Sequence, residues 1–596
     1  MNYRGNAKMN SSRTFNKPKN TKYALKRIAD YLLKFKWWLI IALILTILSN
    51  VFSLLGPLLS GYAIGAIELG EGKVNFDEMY KYAILLIVFY ILSSVFSYIL
   101  ALLMMRISKK IVFKLREDAF RKILMLPVSY FDTNQTGDII SKISYDIDTI
   151  NTSLSTDLIH ISTSIITVIG SFVSMLFISP LLVLIFVVTI PISLFFTRYM
   201  IRKTSTLFRK RSYELGQLNG FVEEKLTGIK SIKAYGIAME IEEKFDKQNK
   251  EATNASYLAE YYSSSTGPGV NFINNLSLSL ICIFGSLLFI FTDFSLQQMS
   301  SFVLYSRKFS GPINEVANIF TDLQSALAAG ERVFNLIDET PELPDKEEAK
   351  DLEEVKGLIE FKKVDFSYVV NKPIIKNLNF KAKPGEVVAI VGPTGAGKTT
   401  IVNLLMRFYD INSGTIMLDN TNIYDIKRRD LRFAYTMVLQ DTWLFEGTVF
   451  ENLAYGKEDA TLDEVINAAK LANIHGFIKR LPNGYNTVLS DNGINISKGQ
   501  KQLLTIARAM LLDAKMLILD EATSNVDTRT EIKIQDAMKN LMKDKTCFII
   551  AHRLSTIKNA DLILVVKDGN IIEQGSHQDL LKQKGFYYEL FNSQFK

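Results

Sequence analysis

One stretch of eight residues decides the fold of this chain: Gly392-Pro393-Thr394-Gly395-Ala396-Gly397-Lys398-Thr399. It fits the pattern G-x-x-x-x-G-K-[ST], in which glycines allow several backbone N–H groups to surround one phosphate. The apolar run at 387–391 predicts a buried strand before it, and the residues from Thr400 onward predict a helix. The motif therefore lies on a strand-to-helix turn, where the helix N-terminus adds its positive dipole end to the anion site.

The side chains around this loop predict nucleoside triphosphate chemistry. Lys398 is expected to reach the β- and γ-phosphates, and the Thr399 hydroxyl is expected to bind Mg²⁺. An apolar strand at 516–519 ends in the two acids Asp520 and Glu521. Asp520 suits a second Mg²⁺ contact, direct or through water. Glu521 suits a general base that orients the attacking water.

Three more positions extend the predicted site. His552 ends another apolar strand, where we expect a contact with the γ-phosphate. Gln440 follows the run at 438–439 and could bind Mg²⁺ or the attacking water. Ser497 precedes a strong helix pattern and predicts an N-cap, so that helix N-terminus is a second possible anion site. Two phosphate-binding elements with one phosphate loop suggest a nucleotide shared between two chains.

Length and composition predict a membrane half joined to a soluble half. The chain has 596 residues, of which 48% are hydrophobic, and its mean hydropathy is +0.13. The two cysteines, Cys282 and Cys547, lie far apart, which excludes a disulfide framework and a Cys-x-x-Cys metal site. The net charge is +8, but the basic residues flank hydrophobic segments as the positive-inside rule expects, so no nucleic-acid partner is predicted.

Hydropathy predicts six membrane spans within a transmembrane domain at 21–337. Residues 1–20 are expected to form a disordered basic tail, and residues 21–36 an amphipathic helix in contact with membrane lipid. The spans are predicted at about 37–62, 82–105, 158–178, 181–200, 270–291 and 298–319. Residues 1–36 contain ten Lys or Arg and one acid, whereas the loop after the first span is acidic. This asymmetry predicts a multi-pass protein of the plasma (cytoplasmic) membrane with both termini in the cytoplasm.

The remainder of the chain predicts an α/β domain. An acidic linker at 338–356 leads to a soluble domain at 357–596, in which strands and helices alternate as in phosphate-loop folds. The polar segments between spans two and three and between spans four and five are about sixty residues each and predict long cytoplasmic helix extensions. Residues 127–138 and 226–236 are expected to touch the soluble domain. Arg307 and Lys308 fall inside the sixth run, where they either contact substrate or lie where the helix meets water.

The motifs and their order resemble the ABC transporter superfamily, and the membrane half resembles its six-span exporter domain. The resemblance rests on Tyr368, the Walker A loop 392–399, Gln440, the signature 496–500, the Walker B strand 516–521, Asp527 and His552. It implies that ATP and Mg²⁺ bind around 392–400, including Thr400, and that Tyr368 stacks on adenine. It also implies that Ser497 and Gly499, with Gln500 beside them, reach the γ-phosphate held by a partner chain. Asp527 is then expected on the dimer interface, and 127–138 and 226–236 are expected to be coupling helices.

Two departures from the family pattern narrow the resemblance to one group within the family. Lys498 replaces the first Gly of the usual signature, and Ile496 replaces the commoner Leu. The chain looks closest to one subunit of the heterodimeric multidrug exporters, in which one chain keeps the catalytic Glu and the other has lost it. The sequence thus predicts a transport-coupled ATPase that exports a hydrophobic or amphipathic, drug-like compound. A lipid flippase and an ATP-gated channel or sensor are the alternatives.

Overall fold

The computed structural model describes residues 20–67, 74–352, 354–369, 371–439, 442–489, 496–520, 527–551 and 557–595, without the side chains of 313–321 and 594–595. The chain divides into two compact units, which are Met1–Leu126 with Asn134–Thr340, and Pro127–Thr133 with Pro341–Lys596. Nearly all of the predicted basic tail lies outside the described residues.

The first unit is built from helices. The helices up to residue 337 are α1 Thr21–Leu33, α2 Lys36–Gly65, α3 Phe76–Leu124, α4 Val128–Thr133, α5 Thr136–Ser141, α6 Ile147–Thr152, α7 Leu158–Ile178, α8 Pro180–Thr227, α9 Ile229–Tyr235, α10 Ala238–Phe291 and α11 Leu296–Ile337. Of these, α4 belongs to the second unit. Two π-helical segments, Lys142–Asp146 and Ser153–Asp157, join α5, α6 and α7 into one run.

Within the described part of the chain, five helical segments are long and apolar enough to cross a membrane: Lys36–Gly65, Phe76–Leu124, Thr136–Ile178, Pro180–Thr227 and Ala238–Phe291. A 49-residue helix such as α3 is about 70 Å long, more than twice a hydrocarbon core of about 30 Å. Long polar extensions therefore continue from the apolar parts. Among the described residues, α11 does not reach the same apolar character, because it contains Arg307, Lys308 and several serines. The sixth span at 298–319 stays a prediction.

Local sequence explains where the membrane helices turn. Ser179 is the N-cap of α8, Pro180 occupies the first helical turn, and α7 ends at Ile178, so the two helices are joined by a single extended residue. Ser295 caps α11 through a reciprocal capping box with Gln298. Such caps satisfy the backbone N–H groups at a helix start without help from another helix.

Two clusters hold the helices of the first unit together. Parts of α3 and α11 pack around α6, where Ile111, Leu115, Ile150 and Phe334 are buried. A second cluster joins α7, α8, α10 and α11 through Met175, Phe186, Ile281, Phe302 and Phe309. In both clusters, α11 supplies residues to the core, so it is an integral part of the bundle.

In the described residues of the second unit, twelve strands form three sheets. The strands are β1 Ile359–Phe366, β2 Ile375–Ala382, β3 Val387–Val391, β4 Ser413–Leu418, β5 Thr421–Asn422, β6 Tyr435–Val438, β7 Gly447–Thr448, β8 Val488–Leu489, β9 Met516–Asp520, β10 Thr546–Ile550, β11 Leu562–Lys567 and β12 Asn570–Gly575. An antiparallel sheet has the order β2-β1-β4-β5, and β7 pairs with β8. The main sheet has the order β12-β11-β3-β10-β9-β6 and is parallel except for β12.

Helices cover both faces of the main sheet. They are α12 Lys398–Leu405, α13 Arg428–Phe433, α14 Val449–Ala454, α15 Leu462–Leu471, α16 His475–Ile478, α17 Lys498–Leu512, α18 Thr528–Met542, α19 His577–Gln583 and α20 Phe586–Phe595, with 3₁₀ turns at Ile423–Asp425 and Gly484–Asn486. Alternate residues of each strand point to opposite faces. Ala389 and Val391 join the core that contains α17 and α18, whereas Val388 and Ile390 join the core that contains α12. The sheet therefore separates α17 from α12.

Candidate nucleotide-binding site

The loop between β3 and α12 has a shape that only glycine allows at two positions. Gly392 has a φ of 155°, and a Cβ added there would lie 2.1 Å from the carbonyl oxygen of Val566. Gly397, the N-cap of α12, has a φ of 105°, in the left-handed region that other residues resist. The backbone can thus turn closely enough to aim successive N–H groups at one anion.

Lys398 folds back over this loop. Its Nζ donates hydrogen bonds to the carbonyl oxygens of Gly392, at 2.8 Å, and Pro393, at 3.0 Å. The residue is only 8% exposed, and burial lowers the pKa of its ammonium while the charge of Asp520 raises it. Because the hydrogen bonds that the structure describes for Lys398 go to neutral carbonyl groups, a phosphate would offer its charge a stronger partner.

Tyr368 lies beside the first turn of α12. Its hydroxyl is 3.2 Å from the Thr400 hydroxyl, to which it donates, and it accepts from the Asn403 amide at 3.3 Å. The side chain is 44% exposed, so part of the ring remains open for stacking. A tyrosine ring with an anchored hydroxyl and a free face suits the adenine contact that the sequence predicts.

A second tyrosine continues this contact toward α4. The rings of Tyr368 and Tyr409 meet edge to face, with centroids 4.8 Å apart, and the Tyr409 hydroxyl donates to the Asp132 carboxylate. Burial, followed by the hydrogen bond to Asp132, raises the pKa of Tyr409. Of the segment 127–138 that is predicted to touch the soluble domain, residues 127–133 belong to the same unit as that domain, whereas residues 134–138 belong to the other unit. Sequence reasoning missed Tyr409 and Asn403, since their role comes from neighbours that are distant in the chain.

The donors available to Mg²⁺ are hard oxygen atoms. Asp520 ends β9, and Thr399 is an exposed residue in the first turn of α12. In the described part of the chain, no group of three or more His, Cys, Asp or Glu side chains could hold a metal ion. Mg²⁺ bound with a nucleotide keeps several waters and phosphate oxygens and needs only one or two protein groups. A hydroxyl and a carboxylate of this kind fit that requirement.

Three predicted residues, Gln440, Glu521 and His552, lie outside the described residues. The strands that lead to them are β6, β9 and β10, which are neighbours in the parallel sheet. The carboxyl ends of parallel strands meet at one edge of a sheet, where α/β folds bind their ligands. The roles of these three side chains stay predictions.

The second anion element is the N-terminus of α17. Ser497 is its N-cap, as predicted: its Oγ accepts from the Gln500 N–H at 3.3 Å, and the Gln500 side chain accepts from the Ser497 N–H at 3.0 Å. Ser497 and Lys498 are exposed, whereas Gly499 is buried. Asp527 caps α18. Its carboxylate accepts a hydrogen bond from the Thr530 N–H, and this hydrogen bond lowers the pKa of Asp527. The Ser497 end of α17 belongs to the opposite face of the sheet from α12.

Comparisons with known families cover both halves of the chain. Residues 39–313 match the family described as "ABC transporter transmembrane region", and residues 375–524 match the one described as "ABC transporter". The first match includes the beginning of α11, and the second runs from β2 through the phosphate loop and the signature.

Individual relatives match over most of their length. The chain is 42% identical to an uncharacterized ABC transporter ATP-binding protein, YfiC, of Bacillus subtilis, over 97% of this chain and 96% of that protein. It is 42% identical to a fatty acid ABC transporter ATP-binding/permease protein of Mycobacterium bovis, over 87% and 82%. A solved structure of a bacterial Atm1-family ABC exporter with ATP bound aligns with a TM-score of 0.75 and 29% identity, over 94% and 98%. The chain therefore belongs to the ABC transporter family, as a multi-pass exporter half-transporter whose nucleotide-binding domain is a transport-coupled ATPase.

Proposed function

We propose that this chain is one subunit of a heterodimeric exporter that uses ATP to move a hydrophobic or amphipathic, drug-like compound out of the cell. The observation that carries the proposal is the separation of Lys398 and Ser497 by the main sheet. This arrangement favours a nucleotide that is held by the Lys398 loop of one chain and contacted by the Ser497 end of α17 of a second chain. Half-transporters of this family dimerise, and a head-to-tail pair encloses two nucleotides between the two chains.

The roles of the nucleotide-contacting residues follow from this arrangement. Lys398 leaves the carbonyl groups of its own loop and binds the β- and γ-phosphates, while the Tyr368 ring stacks on adenine. Mg²⁺, held by Thr399 and Asp520 with Gln440, supplies charge neutralisation at the phosphates when it is bound. Glu521 orients the attacking water as general base.

The partner chain and His552 complete the site. His552 contacts the γ-phosphate from the same chain as Lys398. Ser497 and Gly499 of the opposite chain add the N–H groups and dipole of α17 to the same phosphate. Removal of the γ-phosphate by hydrolysis removes this shared ligand, so the two chains separate again.

Transport follows because ATP binds one arrangement of the dimer better than the other. A ligand shifts a conformational equilibrium only by its difference in affinity for the two states. Closure of the two nucleotide-binding domains on ATP favours the outward-open state, and hydrolysis restores the inward-open state. The contact of Tyr409 with Asp132 supports a role for α4 in this step, because α4 directly follows the long helix α3.

The proposed substrate class rests on the apolar character of the membrane helices and on one relative. The mycobacterial relative is named as a fatty acid transporter, and a fatty acid is an amphipathic molecule. The site of action is the plasma membrane, with both termini in the cytoplasm, as the Lys and Arg distribution favours.

The test is ATP-dependent uptake into inverted membrane vesicles that contain this chain and its partner. We expect accumulation of amphipathic dyes against a concentration gradient, and no accumulation in the matched Glu521→Gln vesicles. Movement of labelled lipid between leaflets without dye accumulation would identify a flippase instead. An ATP-gated ion flux that never exceeds equilibrium would identify a channel.

A further inference from the structure

A lysine of α11 is bound at a break in α2. Pro57 lies inside α2 and has no N–H, so the carbonyl of Ser53, four residues earlier, has no helical partner. Lys308 Nζ donates to that carbonyl oxygen at 2.5 Å and lies 2.6 Å from the Ser53 hydroxyl. Tyr305, one turn earlier on α11, donates its hydroxyl to the Leu54 carbonyl at 2.7 Å. α11 thus satisfies two backbone groups beside the proline.

The positive charge of Lys308 is more than this capping role needs. In the described part of the chain, the contacts of its Nζ are Ser53 and the ring of Tyr90, whose centroid is 5.9 Å away, and neither is an anion. A neutral amide could donate to the same carbonyl. Carbonyl and hydroxyl dipoles compensate a full charge only in part. The ammonium therefore keeps an unmet preference for a negatively charged partner.

The depth of this lysine in the membrane makes an anion partner more important. Ser53 is the eighteenth of the thirty residues of α2, a helix long and apolar enough to span the bilayer. A charge near the middle of a membrane segment is costly and commonly marks a ligand pathway. The six predicted spans contain one acid, Glu315, whose side chain lies outside the described part, against the three cations Arg198, Arg307 and Lys308. The excess of positive charge favours an anionic ligand.

The neighbours of Lys308 suit an amphiphile with one charged end. The Tyr90 hydroxyl fits against Gly56, where an added Cβ would lie 2.3 Å from it, so the ring beside Lys308 is held in place. Phe52, next to Ser53 in the chain, stacks with Phe96 at 5.8 Å between centroids. Arg307 adds a second, exposed cation on the neighbouring position of α11. Lys308 is thus bordered by aromatic rings, whereas Arg307, as the adjacent residue of the helix, points to a different side of α11.

We propose that Lys308 binds the negatively charged headgroup of the exported amphiphile, whose aliphatic chain lies along the apolar helices. This inference rests on the proposed function and adds the charge of the substrate to it. A headgroup oxygen accepts a hydrogen bond from the Lys308 ammonium, which contacts no carboxylate in the described part of the chain. Lys308 keeps its hydrogen bond to the Ser53 carbonyl at the break in α2.

The test is equilibrium binding to the full transporter in phosphatidylcholine nanodiscs, which offer no competing anionic lipid. Three probes share one chain length: hexadecyl sulfate, hexadecanol and hexadecyltrimethylammonium. We expect hexadecyl sulfate to bind most tightly, and Lys308→Gln to weaken its binding about tenfold, because a charge-assisted hydrogen bond is lost. Lys308→Arg keeps the charge and is expected to restore most of that affinity.

A matched control separates recognition from structure. Tyr305→Phe removes the other cap beside Pro57 without changing any charge, so it is expected to affect the three probes alike. If Lys308→Gln also weakens all three equally, or if the unmodified protein does not distinguish the sulfate from the alcohol, the inference is wrong. Failure of vesicle transport together with Lys308-dependent sulfate binding would instead reject the proposed export function and keep the site.

Discussion

The residues of the phosphate loop are held in place by contacts within the protein itself. Gly392 meets the Val566 carbonyl at a distance that excludes a Cβ, and the Lys398 ammonium is bound to the loop's own carbonyl groups. A site that is already ordered loses less conformational entropy on binding than a flexible one. Burial also lowers the pKa of Lys398, so an arriving phosphate stabilises the charged form that burial disfavours.

The first prediction concerns the general base. Glu521→Gln should bind ATP as the unmodified protein does and lose most steady-state hydrolysis, because the carboxylate that activates water is gone. Loss of a general base typically slows a reaction about 10²- to 10⁴-fold. Nucleotide binding and phosphate release should both be measured, with Lys398→Ala as the contrasting variant that fails to bind. Near-normal turnover of Glu521→Gln in an active assembly would reject the role.

Single-residue features were predictable wherever the signal was local. Ser497 as an N-cap follows from the Ser-x-x-Gln pattern before a helix, and the turn at Ser179 and Pro180 follows from their adjacency. Tyr409 could not be found in this way. Its partners, Tyr368 and Asp132, are 41 and 277 positions away in the chain, and only the packed domain brings them together.

At the scale of elements, strand β3 and helix α12 carry the site. The predicted strand and the observed β3 share the same bounds, because a short apolar run that is followed by glycines is too short for a helix and favours a buried strand. The antiparallel sheet β2-β1-β4-β5 was not predicted, because its strands mix buried and exposed positions without a clean alternation. The π-helical segments at Lys142–Asp146 and Ser153–Asp157 likewise carry no sequence signal.

The second prediction concerns the element α4. Tyr409→Phe removes the hydroxyl that binds Asp132 but keeps the ring beside Tyr368. We expect transport to fall about tenfold relative to ATP hydrolysis, because a hydrogen bond to a charged group is lost. Both rates should be measured in the same proteoliposomes.

A matched variant controls for the loss of a hydroxyl. The Tyr424 hydroxyl accepts from the Ile411 N–H at 2.8 Å, within the same domain, and none of its described hydrogen bonds goes to α4. Tyr424→Phe should lower the melting temperature without changing transport per ATP hydrolysed. Equal uncoupling by both variants would show that the Tyr409 effect is general destabilisation.

At the scale of the whole molecule, charge decides orientation. The third prediction is that residues 67–78 are outside the cell and that the N-terminus and residues 338–596 are inside. A variant without Cys282 and Cys547 should carry single cysteines at Gly70 or Asn570. An impermeant thiol reagent added to intact cells should label the first, and should label the second only after permeabilisation. Labelling of Gly70→Cys from the cytoplasmic side alone would overturn the six-span arrangement.

The fourth and last prediction is that the two nucleotide sites of the working dimer are unequal. Lys498 is the exposed first residue of α17, where a positive side chain opposes the positive end of the helix dipole. Two positive features at one helix start are unfavourable unless an anion faces them. In a head-to-tail pair, that anion is the γ-phosphate held by the partner's phosphate loop, and the extra charge favours retention of ATP.

If the partner chain has lost its Walker B glutamate, that loss and Lys498 of this chain fall in the same nucleotide site. That site then holds ATP and hydrolyses it slowly, while the site with Lys398, Asp520 and Glu521 of this chain turns over. The measurement is nucleotide occupancy and hydrolysis per site, on this chain purified alone and then with a second half-transporter of the same organism that lacks the Walker B glutamate. Lys498→Gly should speed turnover at the slow site and leave the other site unchanged. Drug-stimulated hydrolysis by this chain alone, with two equivalent sites of equal turnover, would contradict the heterodimer and make Lys498 a tolerated variant in a symmetric pair.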